Sequence, residues 1–288
     1  MDGIVLINKE KNCTSRDVVN QVSKILKTKK IGHTGTLDPI ATGVLVLCIG
    51  KATKLVEVIT SYDKEYEAEV ILGIKTDTKD ITGKILKEEK AIISKENIEE
   101  CLKKMIGTYN QTVPIYSAVK INGKKLYEYA RNNEEIELPK RKVTIKELKL
   151  ISDITYEKEK TKFKIKCHVS KGTYIRSLIE DIATNLNTIG TMENLKRTKQ
   201  GNFQIASANT IQDIENNKFK IYSIEEILEK FYKIEMTDDL YFKIKNGSII
   251  KNNYNHDIVA FTKNDKVIAI YKEYSKDKTL LKPWKMFL

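Results

Sequence analysis

The chain has 288 residues, 41% hydrophobic and 31% charged, with Lys+Arg 51 against Asp+Glu 39 and a net charge of +12. That composition excludes a disordered chain, and no apolar run is long enough for a helix to cross a bilayer. The length suits one large domain or a large and a small one, and the charge suits a polyanionic partner, nucleic acid ahead of an anionic membrane surface.

Residues 4–7 read as a short strand. Thr14 or Ser15 caps a following helix with the apolar stripe Val18, Val19, Val22, Ile25 and Leu26. Next comes a loop of three glycines (Gly32, Gly35, Gly43) with His33, Asp38 and Pro39 among them, leading into an apolar run over residues 44–49. Glycine permits close backbone approach and proline biases Asp38 away from helix, so one carboxylate is presented in a defined direction from a buried strand. That suits a nucleophile or general base, although an aspartate in such a turn more often bonds its own backbone. The phosphate-loop pattern is absent, because Ala52 follows Gly50-Lys51.

Residues 64–72 alternate, with Tyr66, Ala68, Val70 and Leu72 on one face and Glu65, Glu67 and Glu69 on the other, as in a half-buried strand. Ser94 caps a helix bearing Ile98, Cys101, Leu102 and Met105. Residues 114–131 interleave Tyr116, Tyr127 and Tyr129 with Lys120, Lys124, Lys125 and Arg131 around an Asn122-Gly123 turn. Base stacking with phosphate contacts explains this mixture, and a solvated hairpin explains it nearly as well. Residues 162–169 alternate again and break at Ser170-Lys171-Gly172 before a helix with Ile175, Leu178, Ile179 and Ile182. Arg176 then falls in the first turn of that helix, against its dipole, which hints at a carboxylate partner elsewhere. From about Met236 strand-like runs alternate with turns at Asn246-Gly247 and Asn264-Asp265.

Cys13, Cys48, Cys101 and Cys167 are widely spaced and form no C-x-x-C pair, and with His33, His168 and His256 they offer no zinc spacing. The reading is of reduced thiols, a cytoplasmic location and no metal.

Gly32-His33-Thr34-Gly35-x-Leu37-Asp38-Pro39-x-Ala41-x-Gly43 resembles the active loop of the bacterial tRNA pseudouridine-55 synthases, the TruB type. Asp63-Lys64-x-Tyr66, Thr76-Asp77-Thr78-x-Asp80-x-x-Gly83, Tyr116-Ser117-Ala118-x-Lys120, Ser170-Lys171-Gly172-Thr173-Tyr174-Ile175-Arg176 and Leu195-Lys196-Arg197 follow in the family's order. The resemblance covers about residues 3–200; Glu10 departs from it where the family commonly has proline. It implies an α+β catalytic domain over 1–235 around a largely antiparallel sheet. An RNA-gripping insertion is expected at about 90–145, and a small all-β PUA-like module over 236–288.

The resemblance also implies the activity: isomerisation of the T-loop uridine (U55) of tRNA to pseudouridine, by base flipping and without a cofactor. Asp38 is then the essential aspartate and Arg176 its partner. Tyr66 stacks on the base and is the candidate acceptor of the C5 proton. His33 wedges into the tRNA loop and Leu195 lines the pocket. Lys9, Lys120, Tyr174 and Arg197 are expected to touch RNA. The implied partner is the tRNA T-arm, with no metal, membrane or obligatory protein partner. Two other readings stand beside it: a tRNA-binding or folding chaperone using the same groove, and a guide-dependent pseudouridine synthase. If the charge serves RNA, tRNA affinity falls steeply with salt in a filter-binding titration; a flat salt response would make the +12 mere background.

Overall fold

The computed structural model describes residues 1–288. The N-terminal apolar run forms the strand Gly3–Lys9, paired antiparallel with Thr42–Ile49 in a register that sets Gly3 opposite Ile49 and Lys9 opposite Gly43. Both strands are apolar at nearly every position because both faces are covered. Ile4, Leu6, Val44 and Val46 join one core, while Val5, Ile7, Leu45 and Leu47 join another under the helix Ser15–Ile25.

From this pair the main sheet continues through Gly190–Gln200, Lys64–Leu72, Lys160–Val169 and Lys140–Leu150 to Gly107–Thr112. All these neighbours are antiparallel except the contact of Thr42–Ile49 with Gly190–Gln200. The expected alternation holds in Lys64–Leu72. Tyr66, Ala68, Val70 and Leu72 face a core with Ile165, Cys167, Ile179 and Ile182, covered by the helices Lys95–Lys104 and Ile175–Asn185. Its glutamates face outward onto lysines of the next strand, with Lys164–Glu69 at 2.6 Å and Lys166–Glu65 at 3.1 Å. Exposed pairs like these contribute about 0–1 kcal/mol each, so the buried face holds the strand in place.

The strand Thr42–Ile49 is shared along its second edge. Near its start Thr42 and Gly43 lie beside Lys196 and Arg197, and near its end Leu47, Cys48 and Ile49 pair with Ile31–His33. Residues 34–41 leave the sheet at the fork between those two partners. Gly43 makes the fork possible. It has φ +104, and a Cβ there would lie 2.2 Å from the Arg197 carbonyl oxygen.

Three expectations need correction. Residues 90–145 are not a separate insertion, because Ile98, Cys101 and Leu102 lie in the main core and Gly107–Thr112 and Lys140–Leu150 are strands of the main sheet. What projects is the stretch between those strands, with the Lys120–Ile121/Lys124–Lys125 hairpin turning at Asn122 (φ 51) and Gly123 (φ 82), then the helix Leu126–Arg131. Second, the C-terminal module is β-rich rather than all-β: Asp238–Lys245 is a helix capped by Thr237. Asn246-Gly247 ends that helix, with Gly247 at φ 68, instead of joining two strands. Third, the five-stranded sheet of the module opens at Tyr232–Glu235, four residues before the expected boundary. Asn264-Asp265 does form the expected hairpin turn between Ile258–Lys263 and Lys266–Tyr274, with φ 50 and 62.

The module is docked. Ala260, Val267, Ile270 and Phe287 share a core with Ile4, Leu6 and Val44, and Lys285 pairs with Glu57 at 2.5 Å. Gly43→Ala is expected to lower stability in urea unfolding by about 3 kcal/mol or more, through the clash with Arg197 and the strained φ. An unchanged midpoint would show that the fork tolerates a side chain.

Candidate active site

The loop over residues 34–41 carries Asp38 and is tied down from several directions. Ser15 Oγ donates to the Leu37 carbonyl at 3.1 Å and accepts from its N–H at 2.8 Å. Gln200 Nε2 donates to the Thr34 carbonyl at 3.1 Å and hydroxyl at 2.9 Å, and the Thr60 hydroxyl donates to the same carbonyl at 3.0 Å. Arg197 Nη2 donates to the Gly35 carbonyl at 3.1 Å, and its Nε donates to Val44 at 2.8 Å. The Ala41 N–H closes the turn on the Asp38 carbonyl at 3.0 Å. A loop so bound presents its carboxylate in one direction, as its glycine and proline content implies.

Arg176 meets that carboxylate side-on. Its Nε lies 3.0 Å from Asp38 Oδ2, and its Nη2 donates to Oδ1 at 3.2 Å, a bidentate pair. The remaining donors reach the Thr78 carbonyl through Nη1 and the Tyr116 carbonyl through Nη2, each at 3.0 Å. The guanidinium is 7% exposed, whereas the Asp38 side chain keeps 34% of its surface open toward a cleft of about 890 Å³. That volume lies within the ~300–1,000 Å³ range of ligand pockets. Burial lifts the Asp38 carboxyl above the usual aspartate value. Arg176 opposes the lift, Asp80 adds to it and Lys9 subtracts from it. Asp80, itself 5% exposed, stands 3.9 Å from Arg176, and its Oδ1 accepts from the Thr78 hydroxyl at 3.0 Å and the Thr82 N–H at 3.0 Å.

Tyr66 and Leu195 also line the cleft. Tyr66 stands opposite Arg197, and Leu195 opposite Ala68, across the pair Lys64–Leu72 and Gly190–Gln200. Burial raises the Tyr66 phenol, with the Arg197 guanidinium pulling the other way, so the phenol stays protonated at neutral pH. Lys64, beside it in the motif, donates to the Thr60 and Tyr62 carbonyls at 2.6 Å each, and burial pushes it down to about 8.

The other expected RNA contacts divide. Tyr174 lines the cleft. His33 ends its strand just before the lining residue Thr34, half-buried; its Nδ1 is buried without a partner, and burial, with Arg16 and Arg197, lowers its basicity. Lys120 is exposed on the projecting hairpin, outside the cleft lining. Lys9 is not a surface contact. It is 1% exposed, and its Nζ donates to the Glu10 carbonyl at 2.8 Å and the Pro39 carbonyl at 3.3 Å, bracing the Asp38 loop from behind. Arg197, also 1% exposed, is a strap of the same loop at the cleft wall rather than a free cation for phosphate. Gln111 and Gln200 were not singled out by sequence reasoning, and Ser15 was read only as a possible helix cap; the partners that tie these neutral residues to the site, Tyr174, Thr34 and Leu37, lie far along the chain, and no local signal marks them.

Burial pushes the Cys48 and Cys167 thiols up to about 12, as expected of cysteines acting as small hydrophobes. No group of three His, Cys, Asp or Glu side chains is arranged to hold a metal ion, and no helix is long and apolar enough to cross a membrane.

Residues 23–175 match the family described as TruB family pseudouridylate synthase (N terminal domain), and residues 176–233 match tRNA pseudouridylate synthase B C-terminal domain. The chain belongs to the TruB family of pseudouridylate synthases. Relatives named tRNA pseudouridine synthase B from Bacillus cereus and Bacillus anthracis are 42% and 41% identical over 300 residues, covering all of this chain and 98% of each relative. The fold is similar to that in the crystal structure of a Cbf5-Nop10-Gar1 complex, with a TM-score of 0.72, 24% identity and coverage of 99% of this chain and 85% of that one. A structure of an H/ACA RNP bound to a substrate RNA matches with a TM-score of 0.70 and 22% identity, over 99% of this chain and 85% of that one. At those identities the two structures speak for the shared fold alone. The boundary between the two TruB family matches falls between Ile175 and Arg176, inside the first turn of a helix that packs in the main core. The ion pair at the cleft therefore joins one match to the other.

The raised Asp38 carboxyl sets a sign for pH dependence. Ionisation is completed only above the ordinary aspartate range, so a reaction needing the carboxylate loses rate on the acid side sooner than a solvated aspartate would dictate. Lys9→Met removes a favourable charge and is expected to move that acid limb to higher pH. It should leave the salt slope of RNA binding unchanged, because a buried lysine releases no counterion. A slope reduced by about one would return Lys9 to the RNA surface.

Proposed function

We propose that this protein isomerises a uridine in the T-arm of tRNA (U55) to pseudouridine, with Asp38 as the essential carboxylate. The observation that carries the reading is the bidentate Asp38–Arg176 pair opening into the cleft beside Tyr66, in a chain of the TruB family. The reaction breaks N1–C1′, turns the base and joins C5 to C1′. One proton leaves C5 and one is gained at N1, so atoms balance without a redox partner. The uridine has to leave its stack to enter the cleft, and the cleft walls then exclude water around it.

Arg176 engages both Asp38 oxygens and favours the ionised carboxylate against its burial, while part of the carboxylate surface stays open to the cleft. Attack at C1′, addition at C6 and removal of a ribose proton are all open to a carboxylate in this position. Tyr66 fits a stacking partner for the base. Burial keeps its phenol protonated at neutral pH, and Arg197 favours the phenolate that removal of the C5 proton would need. Leu195 supplies an apolar contact. Lys171, Arg141 and Lys142 at the cleft rim suit backbone phosphates.

Purified protein is expected to convert the T-arm uridine of an unmodified tRNA transcript with no nucleotide or guide RNA added, read by mass spectrometry of the nucleosides. Asp38→Asn should reduce turnover by at least about 10⁴-fold while tRNA affinity changes less than about threefold, as for a group needed only in the chemical step. Wild-type protein that only binds tRNA would favour the chaperone reading. Conversion that depends on an added guide would favour the guide-dependent one.

A further inference from the structure

The helix that carries Arg176 starts without a side-chain cap. Tyr174, at its N-cap, lends no side-chain oxygen to the N–H groups behind it, and the first turn contains no acidic residue. A cation at the second helical position adds to the positive end of the dipole. The register of this helix must be held from elsewhere.

Gln111 reaches it from the edge strand Gly107–Thr112, where it is 2% exposed. Its Oε1 accepts from the Tyr174 N–H at 2.8 Å, and its Nε2 donates to the Tyr174 carbonyl at 3.2 Å. The same Nε2 donates to the Tyr109 hydroxyl at 2.8 Å, and Tyr109 donates to Asp181 Oδ2 at 2.8 Å. One amide thus answers both backbone groups of the residue two places before Arg176, and a flipped amide would lose both bonds. On the other side, the Ser177 hydroxyl donates to the Thr112 carbonyl at 2.9 Å. Residues 174 and 177 bracket Arg176 and are anchored to consecutive residues of one strand.

We infer that Gln111 is a positioning residue: by fixing Tyr174 it sets where the Arg176 guanidinium meets Asp38. This rests on the proposed role of that pair in uridine isomerisation. Gln111 does not line the cleft. Its effect reaches the chemistry only through Arg176, whose three hydrogen bonds and ion pair to three segments leave little room for a displaced helix start. A misplacement of about 1 Å at such a pair can cost on the order of 10²-fold in rate.

The test is a kinetic cycle on the full chain with a tRNA transcript. Gln111→Leu is expected to lower kcat about 10- to 100-fold with KM within about threefold, and to move the acid limb of kcat to higher pH as Asp38 loses its partner. In an Arg176→Lys background, where the fork is already gone, the same change should cost less than about threefold further. Gln111→Glu keeps the acceptor for Tyr174 N–H but loses the donor, and should fall between Gln111→Leu and wild type. Should Gln111→Leu fail to fold, Gln111→Glu and Ser177→Ala carry the same cycle. A folded Gln111 variant with wild-type kcat and an unmoved acid limb overturns the inference, as does a loss that multiplies fully with that of Arg176→Lys. Asp38→Asn is run alongside. If it is inactive while the Gln111 variants behave as wild type, only this inference fails; if it stays active, the proposed function fails with it.

Discussion

The buried guanidinium of Arg176 is the joint on which the cleft depends. It binds Asp38 on the loop after the short strand Ile31–His33, Thr78 on the loop after the short strand Ile74–Thr76, and Tyr116 at the base of the projecting hairpin. Each of those segments is irregular, and none is held in a sheet at the point of contact. A buried charge with its partners removed is left uncompensated, at a cost of about 3–5 kcal/mol. The chain therefore has a strong reason to keep all three segments together. The pair is weak as a source of net stability and strong as a constraint on geometry.

Much of the fold could be read from the sequence because its signals are local. The alternation of residues 64–72, the capped helices and the Asn122-Gly123 and Asn264-Asp265 turns each carry their own pattern within a few residues. Asp38, Tyr66 and Arg176 were legible for a related reason: each sits in a motif, and Arg176 stands against its helix dipole. The depth of Lys9 and Arg197 was not legible, because sequence displays a charge without its burial. Lysine at the end of an apolar strand looks like a surface cation until the Pro39 carbonyl is found over it. The span 90–145 was expected as an insertion from the resemblance alone, and no local pattern marked Gly107–Thr112, whose alternate side chains are exposed at the sheet edge, as a strand of the main sheet. The Asp238–Lys245 helix was missed because a β-rich surrounding made Asn246-Gly247 look like a hairpin turn.

The chain contains only five arginines among its 51 basic residues, at positions 16, 131, 141, 176 and 197. Arg141, Arg176 and Arg197 line the cleft; Arg131 lies over the ring of Tyr127, another lining residue, at 5.3 Å; and Arg16 is close enough to His33 to disfavour its proton. Lysine supplies charge everywhere else. Where the planar fork is used, for a bidentate carboxylate or two carbonyls at once, lysine is no substitute.

The one parallel contact of the main sheet has a consequence for how the protein comes to be made. Arg197 grips Val44 across 153 positions of chain and Gly35 across 162. Until the ribosome has released that arginine, the first strands and the Asp38 loop exist without their strap, and the fork at Gly43 has nothing to close on. Contacts of such long separation form late, since loop closure must precede any gain from them. The Asp38 carboxylate is thus among the earliest residues synthesised, and its loop gains the Arg197 strap only once most of the large domain has been made.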